Sequence, residues 1–277
     1  MTSHLAGLPF AEVVGDPIAH SRSPLIHGYW LDRLGLRAEY RRTRVGRADL
    51  PAFLAERRAD PLWRGCNVTM PVKLDALMLA DEAADGAVQA GAANLLLPRD
   101  GKLVAGNTDI GGVMAVVSRL ARPRPAGSVT VLGSGGAARA VLVALKRLAI
   151  SHVTVQARNL DESRKLVQQF RLEGSPQPFD APIQTDGLIN STPLGMTGAP
   201  PLAVDFSRMP EGGWVFDLVS APDPTPLCVA AGQRGLAASG GLAMLVEQAA
   251  EAFALLFGSE PPRDEASDAE LFRRLGQ

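Results

Sequence analysis

Three small residues in the middle of the chain, Gly133, Gly135 and Ala138, lie between a β pattern and a helix pattern. β-branched residues alternate up to Leu132, and an Ala- and Leu-rich run without proline follows the turn. A Gly-x-Gly-x-x-Gly/Ala spacing in this context is typical of dinucleotide binding. The first glycine permits a tight turn, the second lets the backbone approach a pyrophosphate, and the free N–H groups of the helix favour the anion.

The next β pattern indicates which dinucleotide is bound, because it ends at Arg158. Sites for NAD usually carry Asp or Glu at this strand end, where the carboxylate accepts from the ribose 2′-hydroxyl, whereas an arginine accommodates a 2′-phosphate. The strand end therefore favours NADP(H). Asp161 and Glu162 would repel a phosphate that they faced, and an ordinary solvated arginine is the alternative interpretation.

A hydride transfer to a ketone leaves an alkoxide that needs a proton, so a nicotinamide enzyme needs an acid/base group beside the reacting carbon. Two candidates follow from the residues. One is His20, the only histidine in a polar loop after a predicted strand. The other is Lys73 held by Asp109, in which a carboxylate holds an ammonium that donates and takes back the proton. The residues alone leave both open.

The remaining polar candidates also lie where loops leave predicted strands. Ser21 and Ser23 are one residue apart, so both hydroxyls can reach one anion. Ser23 before Pro24 also suits a helix N-cap. Asn67 and Thr69 offer neutral hydrogen bonds ahead of the turn that leads to Lys73.

Composition excludes several other classes of function. The chain has 277 residues, 46% apolar and 21% charged, with a formal net charge of −1, which argues against a nucleic-acid partner held by bulk electrostatics. No apolar run reaches membrane-spanning length, and the first residues lack a signal pattern. Cys66 and Cys228 have no metal-ligand spacing, so we expect no metal site, two packed thiols and a reducing cytoplasm.

The elements that must position these residues alternate between strand and helix signals, which predicts an α/β fold. Helices are predicted over 25–34 and 74–84, and a hairpin after the strand 93–97. The proline-bearing stretch 121–127 is predicted to be a linker. We expect two domains with cofactor and substrate meeting in the cleft between them: a substrate and catalytic domain over 1–108, a Rossmann-type dinucleotide domain over 109–239, and C-terminal helices over 240–277 that return to the first domain.

Seven stretches in this order resemble the shikimate dehydrogenase family across nearly the whole chain, including its quinate/shikimate dehydrogenases and its shikimate dehydrogenase-like relatives. They are Gly15–Pro24, Asn67–Lys73, Gly91–Asn94, Gly106–Asp109, Gly133–Arg139, Ile189–Met196 and Met244–Gln248. The resemblance implies reversible NADPH-dependent reduction of 3-dehydroshikimate to shikimate, in aromatic amino acid and chorismate biosynthesis. It also implies a monomer or homodimer without nucleic-acid or membrane partners, and it favours Lys73 over His20.

The resemblance also implies roles for individual residues. Lys73 is the acid/base and Asp109 pairs with it. Ser21 and Ser23 hold the substrate carboxylate, and Ser220 borders the substrate. The pocket for the ring hydroxyls is lined by Asn67, Thr69, Asn94 and Gln248. The cofactor contacts Gly133, Ser134, Gly135, Gly136, Ala137, Ala138, Arg158, Leu218 and Gly241.

Departures from the family pattern leave alternatives open. Ser220 stands where the family usually has a tyrosine, which widens the pocket by a ring, and Ala243 stands where a glycine is usual. Glu162 occupies a place where a basic residue is common. One alternative is therefore a quinate/shikimate dehydrogenase or divergent paralogue that acts on another carboxylated cyclic polyol, with NAD(H) as a possible cofactor. The other is an NADP-binding sensor without useful turnover, against which the retention of Lys73 and Asp109 counts.

Overall fold

The computed structural model describes residues 7–121 and 127–276, and the chain divides into two compact units. The first unit comprises Met1–Thr108 and Ala249–Gln277, and the second comprises Asp109–Gln248. Residues 122–126 of the predicted linker lie outside the described part of the chain.

The elements of the first stretch alternate as the sequence predicts. In chain order they are β1 (Phe10–Gly15), α1 (Ser23–Leu34), β2 (Glu39–Arg44), α2 (Leu50–Arg58), β3 (Trp63–Val68), α3 (Lys73–Leu79), β4 (Glu82–Ala83), α4 (Asp85–Ala90), β5 (Leu95–Arg99) and β6 (Lys102–Gly106).

The elements that follow begin with the second unit. They are α5 (Asp109–Leu120), β7 (Ser128–Leu132), α6 (Gly136–Arg147), β8 (His152–Ala157), α7 (Leu160–Phe170), β9 (Pro176–Pro178), β10 (Gly187–Asn190), β11 (Trp214–Asp217), α8 (Pro226–Gln233), β12 (Ala237–Ser239), α9 (Gly241–Phe257) and α10 (Glu265–Leu275). The division between the units falls within α9, so the segment 240–277 contributes residues to both units.

The sheet of the first unit has the strand order β2-β1-β3-β5-β6-β4. β1 runs parallel to β2 and β3, whereas β5 is antiparallel to both β3 and β6. The antiparallel pairing of β5 with β6 confirms the predicted hairpin. This arrangement brings the carboxyl ends of β1, β2, β3 and β6 and the amino end of β5 to one edge of the sheet.

The predicted helix 74–84 is wrong beyond Leu79. Asp81 donates its N–H to the carbonyl of Leu103 and accepts the N–H of Leu103 on its carboxylate at 2.7 Å. The chain is thereby held extended beside β6, where Glu82–Ala83 pairs as β4. Backbone pairing with a strand distant in sequence has overridden local helix propensity.

The two faces of the first sheet are covered differently. On one face, Leu50 and Leu54 of α2 pack with Trp63 and other buried apolar residues. On the other, His27 of α1 forms an aromatic cluster with residues of α1, β2 and α9, namely Trp30, Tyr40, Phe253 and Phe257.

The sheet of the second unit is parallel throughout and has the order β9-β8-β7-β10-β11-β12. Numbered in chain order within this sheet, the strands follow 3-2-1-4-5-6, the order of doubly wound dinucleotide-binding domains. The order reverses between β7 and β10, which is where such a sheet opens a ligand crevice. The glycine turn follows β7, so the predicted Rossmann-type architecture is confirmed.

Candidate functional site

The glycine turn after β7 is built into the crevice of the second sheet. The N–H of Gly133 donates to the carbonyl of Gln156 at 2.8 Å, and Ser191, just after β10, donates its hydroxyl to the carbonyl of Leu132 at 2.6 Å. Gly133 has φ +108°, and a Cβ there would lie 2.8 Å from the Oγ of Ser191. Only glycine suits this position, because a side chain would be strained and crowded at once.

The next glycine of the turn faces open space. A Cβ at Gly135 would meet no atom within 4 Å, and its φ of −81° suits any residue. Gly135 is the N-cap of α6 and, having no side chain, makes no side-chain cap bond. Ala138 is fully buried, which suits close packing of the helix on the sheet. The turn, which also contains Ser134, Gly136 and Ala137, therefore fits a pyrophosphate.

Arg158 follows the last residue of β8 and is exposed. Within the described part of the chain its side chain makes no hydrogen bond or ion pair. Asp161 pairs with Arg164 and Glu162 with Lys165, each at 2.7 Å. The acidic residues that would oppose a phosphate therefore have cationic partners, and the Arg158 guanidinium is left available for an anion.

The end of β11 packs closely on the beginning of α9. The N–H of Gly241 donates to the carbonyl of Val219 at 2.9 Å, and a Cβ on Gly241 would lie 2.1 Å from the carbonyl oxygen of Leu218. Leu218 in turn donates its N–H to the carbonyl of Asn190 at 2.9 Å. The cofactor candidates Leu218 and Gly241 are thus neighbours in the second unit, with the half-buried Ser220 two residues beyond Leu218.

A buried carboxyl group lies beside these strand ends. Asp217 accepts a hydrogen bond at 2.9 Å from Nδ2 of Asn190 and another from the N–H of Val219. Burial raises the pKa of Asp217 despite these hydrogen bonds and one from Thr225. The pair ties the ends of β10 and β11 together at the carboxyl edge of the sheet.

In the first unit, two predicted pocket residues belong to one hydrogen-bond network at the common strand edge. Asn67, in β3, donates from Nδ2 to the carbonyl of Asn94 at 3.4 Å. Asn94 accepts the N–H of Thr108 on Oδ1 at 2.7 Å and donates from Nδ2 to the Thr108 hydroxyl at 3.0 Å. All three residues are buried, so the sheet edge holds two carboxamides in fixed positions.

The two serines lie in the loop between β1 and α1. Ser21 accepts the N–H of Ser23 on its Oγ at 3.3 Å, and Arg42 donates to the carbonyl of Ser21 at 2.8 Å. Arg22 rather than Ser23 is the N-cap of α1, and no side-chain cap bond is formed there. The N-cap alternative for Ser23 is therefore wrong.

The remaining candidates occupy element ends. Lys73 is half-buried at the first position of α3, and its carbonyl accepts the N–H of Ala93 at 2.9 Å. Thr69 lies four residues earlier and is also half-buried, whereas His20 is exposed. Asp109 and Gln248 are buried at the two ends of the second unit, at the start of α5 and in α9.

Two residues of the network are not among the site residues that the sequence predicts. One is Thr108, although a threonine ahead of a helix is a familiar hydrogen-bonding signal. Tyr40, which donates its hydroxyl to Oδ1 of Asn67 at 2.6 Å, lies in a strand that reads Glu-Tyr-Arg-Arg-Thr-Arg. A single aromatic residue among charged ones was the available signal.

Some absences concern only the described residues. No group of three or more His, Cys, Asp and Glu side chains in the described part is arranged to hold a metal ion. None of the helices in residues 7–121 and 127–276 is long and apolar enough to cross a membrane. Cys66 and Cys228 are buried and unbonded to each other.

Comparison with known families identifies both parts of the chain. Residues 13–96 match the model of the shikimate dehydrogenase substrate binding domain. Residues 241–269 match that of the shikimate 5′-dehydrogenase C-terminal domain.

Individual relatives span nearly the whole chain. A shikimate dehydrogenase (NADP⁺) from Sphingopyxis alaskensis is 46% identical over 97% of both chains. The shikimate 5-dehydrogenase of Thermus thermophilus, solved in complex with NADP(H) and shikimate, superposes with a TM-score of 0.85 at 33% identity over 97% of this chain and all of its own. A quinate dehydrogenase from Corynebacterium glutamicum in complex with NAD reaches a TM-score of 0.83 at 28% identity, over 96% of this chain and 99% of its own.

Proposed function

Because the chain belongs to the shikimate dehydrogenase family, we propose that it catalyses the reversible NADPH-dependent reduction of 3-dehydroshikimate to shikimate. One observation carries the proposal. The chain is 46% identical, over 97% of its length, to an enzyme of this name. It also brings Ser21, Asn67 and Lys73 to one edge of its first sheet.

The chain's own residues supply the proton chemistry. Bound NADPH supplies the hydride that reduces the carbonyl carbon. Lys73 donates the proton that the alkoxide oxygen needs and recovers it in the reverse direction. Asp109 holds the ammonium in place by its opposite charge. A lysine suits this role because its ammonium gives up a proton readily, whereas an arginine stays charged.

Other residues bind and orient the ring. The hydroxyls of Ser21 and Ser23 donate hydrogen bonds to the substrate carboxylate. Arg42 donates to the carbonyl of Ser21 and so fixes the backbone there. Asn67, Thr69, Asn94 and Gln248 bind the ring hydroxyls, and Ser220 borders the ring. Carboxamides suit this task because each offers a donor and an acceptor.

On the cofactor side, the residues of the glycine turn hold the pyrophosphate, Leu218 and Gly241 border the nicotinamide, and Arg158 binds the 2′-phosphate. The guanidinium of Arg158, which has no partner among the described residues, supports NADP(H), because a charge-assisted pair would form there without breaking an existing one.

A second candidate is oxidation of quinate or a related carboxylated polyol, with NAD⁺ in place of NADP⁺. The similarity to a quinate dehydrogenase complexed with NAD and the small Ser220 favour it. A ring with an additional hydroxyl needs the space that a larger side chain at this position would fill.

Initial rates with shikimate and with quinate, each against NADP⁺ and NAD⁺, test these proposals. Reduction of the cofactor is followed by the absorbance of the reduced nicotinamide. We expect efficient turnover of shikimate with NADP⁺. Turnover of quinate alone, or with NAD⁺ alone, would establish the second candidate. NADPH binding without turnover of either acid would contradict both and favour a sensor.

We also propose a cytoplasmic enzyme of aromatic amino acid biosynthesis that works as a monomer or homodimer. The two buried, unbonded cysteines support a reducing compartment.

A further inference from the structure

Tyr40 is placed rigidly beside a residue of the proposed substrate pocket. Its ring stacks on that of His27, with centroids 3.9 Å apart and planes 2° from parallel. The hydroxyl then donates to Oδ1 of Asn67 at 2.6 Å. Tyr40 and Asn67 are both buried, so the hydroxyl has little freedom to leave this position.

The contact determines which end of the Asn67 carboxamide a ligand meets. A tyrosine hydroxyl can donate or accept, so it does not by itself choose between oxygen and nitrogen. The carbonyl of Asn94 can only accept, and Nδ2 of Asn67 points to it at 3.4 Å. With Nδ2 directed to that carbonyl, Oδ1 must face Tyr40, and the second N–H of Nδ2 is the group left for a ligand.

We propose that Tyr40 is a positioning residue that holds Asn67 as a hydrogen-bond donor toward an oxygen of the ring substrate. The inference rests on the proposed function for the identity of that ring. The inference does not depend on which cofactor binds, because Tyr40 and Asn67 belong to the first unit and the glycine turn belongs to the second.

The chain contains a matched control in its other described tyrosine. Tyr29 is also buried in the first unit, and its hydroxyl donates to the carbonyl of Ser267 at 3.1 Å and to Glu270 at 3.2 Å. Tyr29→Phe removes the same hydroxyl from a partly buried network in which its partners, Ser267 and Glu270, are not predicted pocket residues. Any general loss of packing or stability would therefore appear in both variants.

The first experiment is a double-mutant cycle in steady-state kinetics with shikimate at saturating NADP⁺. Tyr40→Phe keeps the stacked ring and should raise the KM for shikimate about 3- to 10-fold, the factor that corresponds to one net hydrogen bond. The Kd for NADP⁺ should not change. Tyr29→Phe should leave KM within about twofold of the wild type.

The decisive comparison uses Asn67→Ala. If Tyr40 acts through Asn67, adding Tyr40→Phe to Asn67→Ala should change KM by less than about twofold, because the group being positioned is absent. If Tyr40→Phe exerts its full effect in that background, or leaves KM unchanged in the wild-type background, the proposal is overturned.

A spectroscopic readout separates this inference from the proposed function. The side-chain amide signals of Asn67 in a ¹⁵N-correlated NMR spectrum are identified by their loss in Asn67→Ala. We expect them to move in Tyr40→Phe and to stay in place in Tyr29→Phe. Unmoved signals in Tyr40→Phe would refute the positioning role even if shikimate is turned over. If the signals move in Tyr40→Phe but the protein does not turn over shikimate, the positioning role of Tyr40 stands and shikimate is rejected as the substrate.

Discussion

Gly133 and Gly135 lie two residues apart in one turn, yet a side chain would have opposite consequences at the two positions. At Gly133 a Cβ would meet Ser191 and Thr192 at 2.8 and 3.1 Å, and the backbone has a positive φ. At Gly135 a Cβ would meet nothing within 4 Å. The fold therefore requires the first glycine, whereas the ligand-free fold does not require the second.

Gly135→Ala should separate cofactor binding from stability. We expect the free energy of unfolding to stay within about 0.5 kcal/mol of the wild type. Affinity for NADP⁺ should fall on the order of tenfold or more, because the methyl group would occupy the space that the pyrophosphate needs. Urea unfolding and calorimetric titration measure the two quantities.

Gly133→Ala is the matched variant, and it should lower the free energy of unfolding by about 1–3 kcal/mol. Undiminished NADP⁺ affinity in Gly135→Ala would show that the pyrophosphate does not approach this turn.

Lys73→Ala should lower kcat about 10²- to 10⁴-fold with little change in the Kd for NADPH, because the proton donor is lost and the cofactor site is intact. Lys73→Arg should be similarly impaired, since arginine keeps the charge but does not release a proton. Lys102→Ala, which removes an exposed lysine paired with Glu82, should retain wild-type rates. Full turnover in Lys73→Ala would remove this residue from the mechanism.

Arg158→Ala should weaken NADP⁺ binding by about 1.5–3 kcal/mol and leave NAD⁺ binding nearly unchanged, because only the 2′-phosphate would lose its partner. Arg208→Ala removes an equal charge from an exposed position elsewhere in the second unit and serves as control. Calorimetric titration with NADP⁺ and with NAD⁺ gives both constants. Equal losses for the two cofactors would mean that Arg158 does not contact the phosphate.

His27→Phe should reduce the loss of stability in acid. Burial lowers the pKa of His27 to about 3, below its ordinary value near 6.5. Between these values the unfolded chain binds a proton that the folded chain does not, so the free energy of unfolding falls by about 1.4 kcal/mol per pH unit as the pH decreases. Above a pH of about 6.5 this contribution vanishes.

Urea unfolding at about pH 8 and about pH 5 tests the expectation. The wild type should lose about 2 kcal/mol more than His27→Phe between the two conditions. His152→Phe, which replaces an exposed histidine, should behave as the wild type does. Identical acid losses in His27→Phe and the wild type would show that this ring titrates normally.

Local sequence signals were sufficient for the second unit. Gly133, Gly135 and Ala138 act within one turn and one helix, so their spacing alone indicates the strand, the turn and the helix that the structure contains. The contact of Ser191 with Gly133 could not be predicted from the sequence, because it depends on β10 entering the sheet beside β7. Strand order is a consequence of tertiary packing and leaves no periodic trace in sequence.

Less of the first unit could be predicted from the sequence, for the same reason. Ser21, Asn67 and Lys73 could be singled out because polar residues follow short apolar strands. The partnership of Tyr40 with Asn67 depends on β1 separating β2 from β3 in the sheet, and the early end of α3 depends on pairing with β6. The pairing of Lys73 with Asp109 stays a prediction.

The aromatic cluster beneath Tyr40 determines the order in which the molecule can be completed. His27 and Trp30 are synthesised early, but their partner Phe253 is synthesised only after the whole of the second unit. During synthesis the second unit can therefore fold while α1 still exposes an apolar surface. A nascent chain that stalls between Gln248 and Phe253 carries a complete second unit and an incomplete first unit, the kind of aggregation-prone species on which chaperones act.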